Sequence, residues 1–324
     1  MKLSVSDLEN KMFVLDSHCD TPSEMVRGRD LSIDNATGHV DFPKIGRSGV
    51  DGAFFALYIP ADLDEKEAMR CAMRQYEAVT DALIGGQARV ATSMNQAYRN
   101  KEEGLFSIFL GLENGSPIGK SIERVKMLYD KGIRYITLCH SRDNEICDSC
   151  ATLVKRWGGL SPFGQKVVAE MNRLGMLIDV SHVSDETFYD VLKYSSKPVV
   201  ATHSCCRTLC NHPRNMTDDM IRALAAAGGV IQINFYPYFL DSSYKEGGDR
   251  PSYTMIADHI DHVVGLVGVD HVGIGSDFDG IEVTPDGMEN ISMVPKLLDE
   301  LRRRGYSEAD LEKIASGNFF RILE

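Results

Sequence analysis

Three histidines and three acidic residues of this 324-residue chain stand at or just past the ends of short apolar runs. The runs are FVLDSHCD with His18 and Asp20, LFSIFLGLEN with Glu113, GMLIDVSH with His182, PVVATHS with His203, and HVGIGSDFDG with Asp277. Taken alone, each reads as a polar strand end. Together they read as a ligand set, because imidazole nitrogens and carboxylate oxygens bind borderline and hard cations. His18 and Asp20 are two residues apart, and side chains at i and i+2 of a strand share a face, so both can reach one ion. Glu113 at the end of an apolar strand would be a costly buried carboxylate without a partner, and its two oxygens can bridge two cations. The five side chains His18, Asp20, Glu113, His182 and His203 are too many for one tetrahedral ion with an open position. They suit two ions about 3.5–4 Å apart. Nitrogen and oxygen donors without thiolate fit Zn²⁺, with Mn²⁺, Co²⁺ or Fe²⁺ as alternatives. Cys19 lies between two ligands and, by alternation, faces away. Asp277 is open to three readings: a sixth ligand, a general base or a turn residue. Asp279 is placed within the same turn.

The elements that must position these groups follow from the apolar pattern. Eight β-branched or aromatic-rich runs cover about 13–18, 51–58, 105–112, 133–139, 176–181, 198–202, 229–234 and 271–276. Most are mainly apolar rather than alternating, as in strands buried on both faces. Helix-period stretches lie between them, at 64–83, 121–131, 163–174, 184–195, 217–227, 252–267 and 292–304. Ser184, Thr217 and Ser307 stand where helix N-caps are expected, with Thr187 in place of the capping-box Glu after Ser184. Strands alternating with helices imply a parallel sheet. Eight such units predict an α/β fold, a closed (β/α)₈ TIM-type barrel spanning residues 1–324 as a single catalytic domain. Active sites on this barrel sit at the C-terminal ends of the strands, where the ligand set falls. The aromatic and glycine-rich stretch 235–251 is either a lid over the site or an exposed loop.

The formal net charge is −12 with no basic cluster, which excludes nucleic acid or an anionic membrane as the main partner. The first residues, MKLSVSDLENKMF, show no long apolar segment and no small-residue cleavage site. No signal peptide is expected, no run is long enough to span a bilayer, and the expected location is cytoplasmic. The sequons at Asn35, Asn114, Asn215 and Asn290 are then chance matches. The eight cysteines are expected as free thiols in a reducing compartment. Cys147-x-x-Cys150 reads as a redox pair or as half of a zinc site whose other half, Cys205, Cys206 and Cys210, has no common zinc spacing.

With these residues placed, the chain resembles the renal (membrane) dipeptidase family, the M19 metallopeptidases of the amidohydrolase superfamily. The resemblance runs nearly end to end, on DSHCDTP at 16–22, GLENG at 111–115, RYITLCHS at 134–141, GLSPFGQKVV at 159–168, IDVSHVS at 178–184, ATHS at 201–204, Arg214-Asn215, GIGSDFDG at 273–280 and GNFFRIL at 317–323. It implies a zinc-dependent dipeptidase. His18 and Asp20 would hold one Zn²⁺, His182 and His203 the other, and Glu113 would bridge them. Asp277 would transfer the proton, His140 would contact the scissile carbonyl, and Arg214 would grip the substrate's carboxylate. The implied reaction is hydrolysis of a dipeptide amide bond by a hydroxide shared between the metals, with a D-residue accepted at the C-terminal position. A homodimer is also implied. The stretch SRDNEICDSC after His140 departs from the animal branch, being cysteine-rich and without an aromatic residue there, so substrate preference is left open. The alternatives are another binuclear amidohydrolase, acting on a lactone, cyclic amide or N-acyl amino acid, and a catalytically silent barrel used for binding.

Overall fold

The computed structural model describes residues 12–324. Residues 1–11, most of the stretch read above as lacking a signal peptide, lie outside those described. Nine parallel strands form one sheet: β1 (Leu15–Cys19), β2 (Gly52–Tyr58), β3 (Ala88–Val90), β4 (Phe106–Glu113), β5 (Ile133–Thr137), β6 (Leu177–Asp179), β7 (Val200–Ser204), β8 (Val230–Ile233) and β9 (Val272–Ile274). Eight run in the order β1-β2-β4-β5-β6-β7-β8-β9, and β3 pairs off this path with β4. The ends of the sheet meet past β9. The Asp20 N–H donates to the Phe278 carbonyl at 2.8 Å, and the Asp277 N–H donates to the His18 carbonyl at 3.0 Å. The result is a (β/α)₈ barrel. The same bonds bring the residues after the last strand against the two candidate ligands of the first.

The core has two layers. Outside the sheet, helices such as Pro162–Leu174 and Asp185–Tyr194 bury Val167, Met171, Phe188 and Val191 against the strands. Inside, the lower half of the barrel is filled by aromatic rings. Phe54 lies 4.8 Å from Phe109, 5.0 Å from Tyr135 and 5.0 Å from Phe319, centroid to centroid. Phe319 and Phe320 come from the C-terminal helix Asn318–Leu323, which closes the end where the strands begin. Gly111 is required here: a Cβ on it would lie 2.2 Å from the Tyr135 ring. Ser184, Thr217 and Ser307 all cap helices, and Ser307 forms a full capping box with Asp310. Besides the short helices Thr21–Val26, Phe42–Ile45 and Pro237–Leu240, β3 and the helix Met94–Glu102 lie beyond the apolar pattern; β3 has three residues and MNQAYRNKE has few apolar side chains.

The first half of 235–251 packs inward, with Phe235, Phe239, Leu240 and Tyr244 buried, while 245–250 are exposed. All eight cysteines are free thiols. No helix among the described residues is long and apolar enough to cross a membrane.

Candidate active site

The candidate ligands converge at the C-terminal ends of the strands. His18 is the fourth residue of β1, Asp20 follows the strand as the cap of a short helix, Glu113 ends β4 and His203 lies in β7. His182 does not end a strand. β6 stops at Asp179, and His182 sits in the following turn at φ 70°. The non-glycine residues with left-handed backbone among the described residues are Asn114, His182, Asp277 and Asp279. All four lie on this rim, and their side-chain types are those that tolerate this conformation at least cost. Gly280 allows the closest approach, because a Cβ there would lie 2.2 Å from Asp20 Oδ2 and 2.5 Å from Asp277 Oδ1.

Glu113 is central. Its Oε2 lies 3.6 Å from His18 Nε2, while its Oε1 lies 3.0 Å from His182 Nε2 and 3.4 Å from His203 Nε2. The last two nitrogens are 2.9 Å apart. His18 Nε2 is also 3.7 Å from Asp20 Oδ1 and 3.9 Å from Asp277 Oδ1. His18 Nε2, Asp20 Oδ1 and Glu113 Oε2 are buried without a hydrogen-bond partner. Buried polar atoms are rarely left so. Glu113 thus turns Oε2 toward His18 and Oε1 toward His182 and His203, and the three unpaired atoms all lie on the His18 side.

The electrostatics describe a site short of positive charge. Burial disfavours charge on His18, yet the Glu113, Asp20 and Asp277 carboxylates lift its pKa to about 10. Burial raises Asp20, and the Glu113 and Asp277 carboxylates raise it further. Burial would raise Glu113 as well, but the surrounding imidazoles, His18 foremost, hold it well below the usual carboxylate range. Burial and the Arg214 guanidinium push His182 well down, and burial and His18 push His203 down. The donor set fits divalent cations in number and type, three imidazoles and carboxylates without thiolate.

His140 lies past β5, with its Nε2 3.8 Å from Glu113 Oε1 and its ring 4.2 Å from that of His182. Arg214 is buried behind His203. It donates to the His203 carbonyl at 2.9 Å and to Ser204 Oγ at 3.3 Å, stacks 5.3 Å from the Phe239 ring, and leaves its Nε without a partner. No carboxylate among the described residues pairs with it. The cavity over the cluster measures about 510 Å³, and its walls include Asp20, Tyr58, Glu113, His140, His182, Asp277 and Glu282.

Contacts of three further residues, Asn234, Tyr135 and Asp279, are not encoded in the motifs. Asn234 Nδ2 donates to Asp277 Oδ2 at 2.9 Å. It ends the β8 run as a polar residue after apolar ones, the same signal that marks the ligands. The Tyr135 hydroxyl lies 2.8 Å from His18 Nδ1. Asp279, buried in its turn, pairs with Arg29 at 2.6 Å and accepts from Thr21 Oγ1 at 2.9 Å and from the His39 N–H at 2.8 Å. It braces the turn that carries Asp277.

The sequence profile of the membrane dipeptidase family (peptidase family M19) matches residues 3–324. The chain belongs to this family. It is a metallopeptidase of the dipeptidase type. The dipeptidase aclJ of Aspergillus oryzae is 36% identical over 304 residues, covering 90% of this chain and 70% of the relative. The structure of the probable dipeptidase PvdM from Pseudomonas aeruginosa superposes with a TM-score of 0.91 at 26% identity, covering 98% of this chain and 96% of that one. A Rhodobacter sphaeroides metallopeptidase, crystallised with a phosphinate mimic of the dipeptide L-Ala-D-Ala, gives 0.88 at 25% identity, covering 96% and 98%.

Proposed function

We propose that this chain hydrolyses dipeptides with a free C-terminal carboxylate, using two divalent cations. His18 and Asp20 would hold one ion, His182 and His203 the other, and Glu113 would bridge them. The observation that carries this reading is the Glu113 carboxylate, whose Oε2 faces His18 while its Oε1 faces His182 and His203. Zinc fits the donors. When bound, such a pair of ions lowers the pKa of a water and polarises a carbonyl.

The chain's own residues supply the rest. Arg214 is a buried guanidinium without a carboxylate partner among the described residues, and it pairs the substrate's C-terminal carboxylate. That contact limits hydrolysis to an amide bond one residue from the C-terminus. His140 Nε2 faces the cluster and donates to the oxygen of the scissile carbonyl as it gains negative charge. The oxygen of the attacking water bonds to the carbonyl carbon, and Asp277 accepts its proton. Asp277 then returns that proton to the nitrogen as the C–N bond breaks and the amine leaves. Asn234 holds Asp277 Oδ2, which leaves Oδ1 facing the cluster. The R. sphaeroides relative binds an L-Ala-D-Ala mimic, which supports a D-residue at the C-terminal position here.

The test is a panel of L-L and L-D dipeptides, their C-terminal amides, a lactone and an N-acyl amino acid, with metal content measured on the same sample. Hydrolysis of free dipeptides at two metal ions per chain is expected. Turnover of only the lactone or the N-acyl substrate would replace this reading.

A further inference from the structure

Beneath the ligand cluster, Asp179 ends β6 with its side chain fully buried inside the barrel. The catalytic reading makes no use of it. Its four hydrogen bonds among the described residues all come from neutral donors. Oδ1 accepts the backbone N–H groups of Ser181 and Thr202, both at 2.9 Å. Oδ2 accepts the hydroxyls of Thr137 at 2.5 Å and Thr202 at 2.7 Å. No lysine, arginine or histidine among the described residues pairs with it. A buried carboxylate without an opposite charge is expensive, so its position under the candidate metal ligands calls for an explanation.

Thr202 provides one. Its Oγ1 lies 2.7 Å from Asp179 Oδ2 and 2.8 Å from His203 Nδ1. A hydroxyl has one proton to give. The carboxylate can only accept, so that proton goes to Asp179, and Oγ1 must accept from His203. Nδ1 therefore carries the imidazole hydrogen, and the Nε2 lone pair points at Glu113 and His182 (3.4 and 2.9 Å). This is the tautomer that a metal ligand needs.

We propose that Asp179, acting through Thr202, is a positioning residue that fixes the proton of His203 on Nδ1 and leaves Nε2 free to bind a metal ion. The proposal rests on the two-metal reading of the site. It also makes Asp179→Asn more than a loss of charge. The two backbone N–H groups at Oδ1 pin the new carbonyl oxygen there, which forces the amide NH₂ to the Oδ2 side. That NH₂ donates to Thr202 Oγ1, Thr202 turns its own hydrogen to His203 Nδ1, and the imidazole proton moves to Nε2, where it blocks ligation.

The experiment measures Zn²⁺ affinity by chelator competition, together with the metal-free melting temperature, for wild type, Thr202→Ser, Thr202→Val and Asp179→Asn. Histidine ¹⁵N shifts of the metal-free proteins report the tautomer. The expected order is wild type and Thr202→Ser alike, Thr202→Val weaker by about 10–100-fold, and Asp179→Asn weaker still with His203 protonated on Nε2. Metal-free Thr202→Val should melt within a few degrees of the wild type. If Asp179→Asn does not fold, the Thr202→Ser and Thr202→Val pair decides the matter. Wild-type affinity in Thr202→Val overturns the proposal, as does an equal loss in Thr202→Ser. A wild type that binds no metal overturns the two-metal reading and this proposal with it.

Discussion

At the residue scale, the site depends on single atoms whose removal has separable consequences. Glu113→Gln keeps the shape of the side chain but leaves one oxygen to face two imidazole sets. We expect metal content and activity to fall together, measured by elemental analysis and dipeptide turnover; two tightly held ions in this variant would argue against the bridge. Arg214→Met removes a buried guanidinium whose hydrogen bonds within the chain are to a carbonyl and a hydroxyl. Losing a charge-assisted pair to a substrate carboxylate costs about 3 kcal/mol, so kcat/KM for a free dipeptide should drop by roughly a hundredfold. Slow turnover of a dipeptide amide should change little, because that substrate has no carboxylate to lose. Equal losses on both substrates would show that Arg214 acts on the fold instead. The groups of the Glu113 cluster were legible in the sequence because a His, Asp or Glu ending an apolar run is conspicuous. Asp179 was not, because it is one of several polar residues inside IDVSH and its meaning lies in Thr202, on the neighbouring strand. Tyr135 was masked in the same way, since an aromatic residue in a strand reads as core.

At the element scale, the pattern marked all eight strands of the barrel path because each carries enough apolar residues to be buried on both faces. It passed over β3 and the helix Met94–Glu102, which are short and polar and are held by pairing with β4 and by packing rather than by their own periodicity. It also placed His182 at a strand end, whereas the turn after β6 delivers it with a left-handed backbone that no hydrophobic pattern encodes. One inter-helix contact leads to a pH prediction. Arg304, beside the helix Val294–Arg303, bonds Glu300 of that helix at 2.7 Å and Asp258 and Asp261 of the helix Thr254–Val267 at 2.6 Å each. Hydrogen bonds from Arg303 and Arg304 hold Glu300 down to about 2. Its folded pKa is below its unfolded value, so this stabilisation is complete above about pH 4.5 and is lost as the pH falls toward 2. Water reaches the Arg303 side of the pair, and screening trims the contribution to about 1 kcal/mol. Glu300→Gln should therefore be less stable than wild type by about that amount at pH 7. Urea denaturation should show the difference closing below pH 4.5; a constant difference would place the effect in packing.

At the scale of the whole molecule, the question is how far the fold depends on the ions it is proposed to hold. The ligands come from β1, β4, the turn after β6, and β7, so two ions would tie together strands far apart in the sequence. Beneath them, however, the barrel is already filled. The Phe54, Phe109, Tyr135 and Phe319 rings and the C-terminal helix complete a core that contains no ligand. The barrel also closes through backbone bonds between His18–Asp20 and Asp277–Phe278. Metal should therefore add to a fold that stands without it. A ligand present at a thousand times its dissociation constant adds about 4 kcal/mol, which for a chain of this length raises the melting temperature by roughly 6 °C. Chelator-stripped protein should keep its far-UV circular dichroism at 25 °C, melt several degrees lower, and recover on adding Zn²⁺. Glu113→Gln should show little of this recovery, because its ion pair is no longer bridged. A stripped protein that unfolds at 25 °C would mean that the ions, and not the aromatic core, hold the barrel mouth together. An unchanged melting temperature in a wild type shown to lose its metal would mean that the cluster was already satisfied by protons on His18 and Asp20.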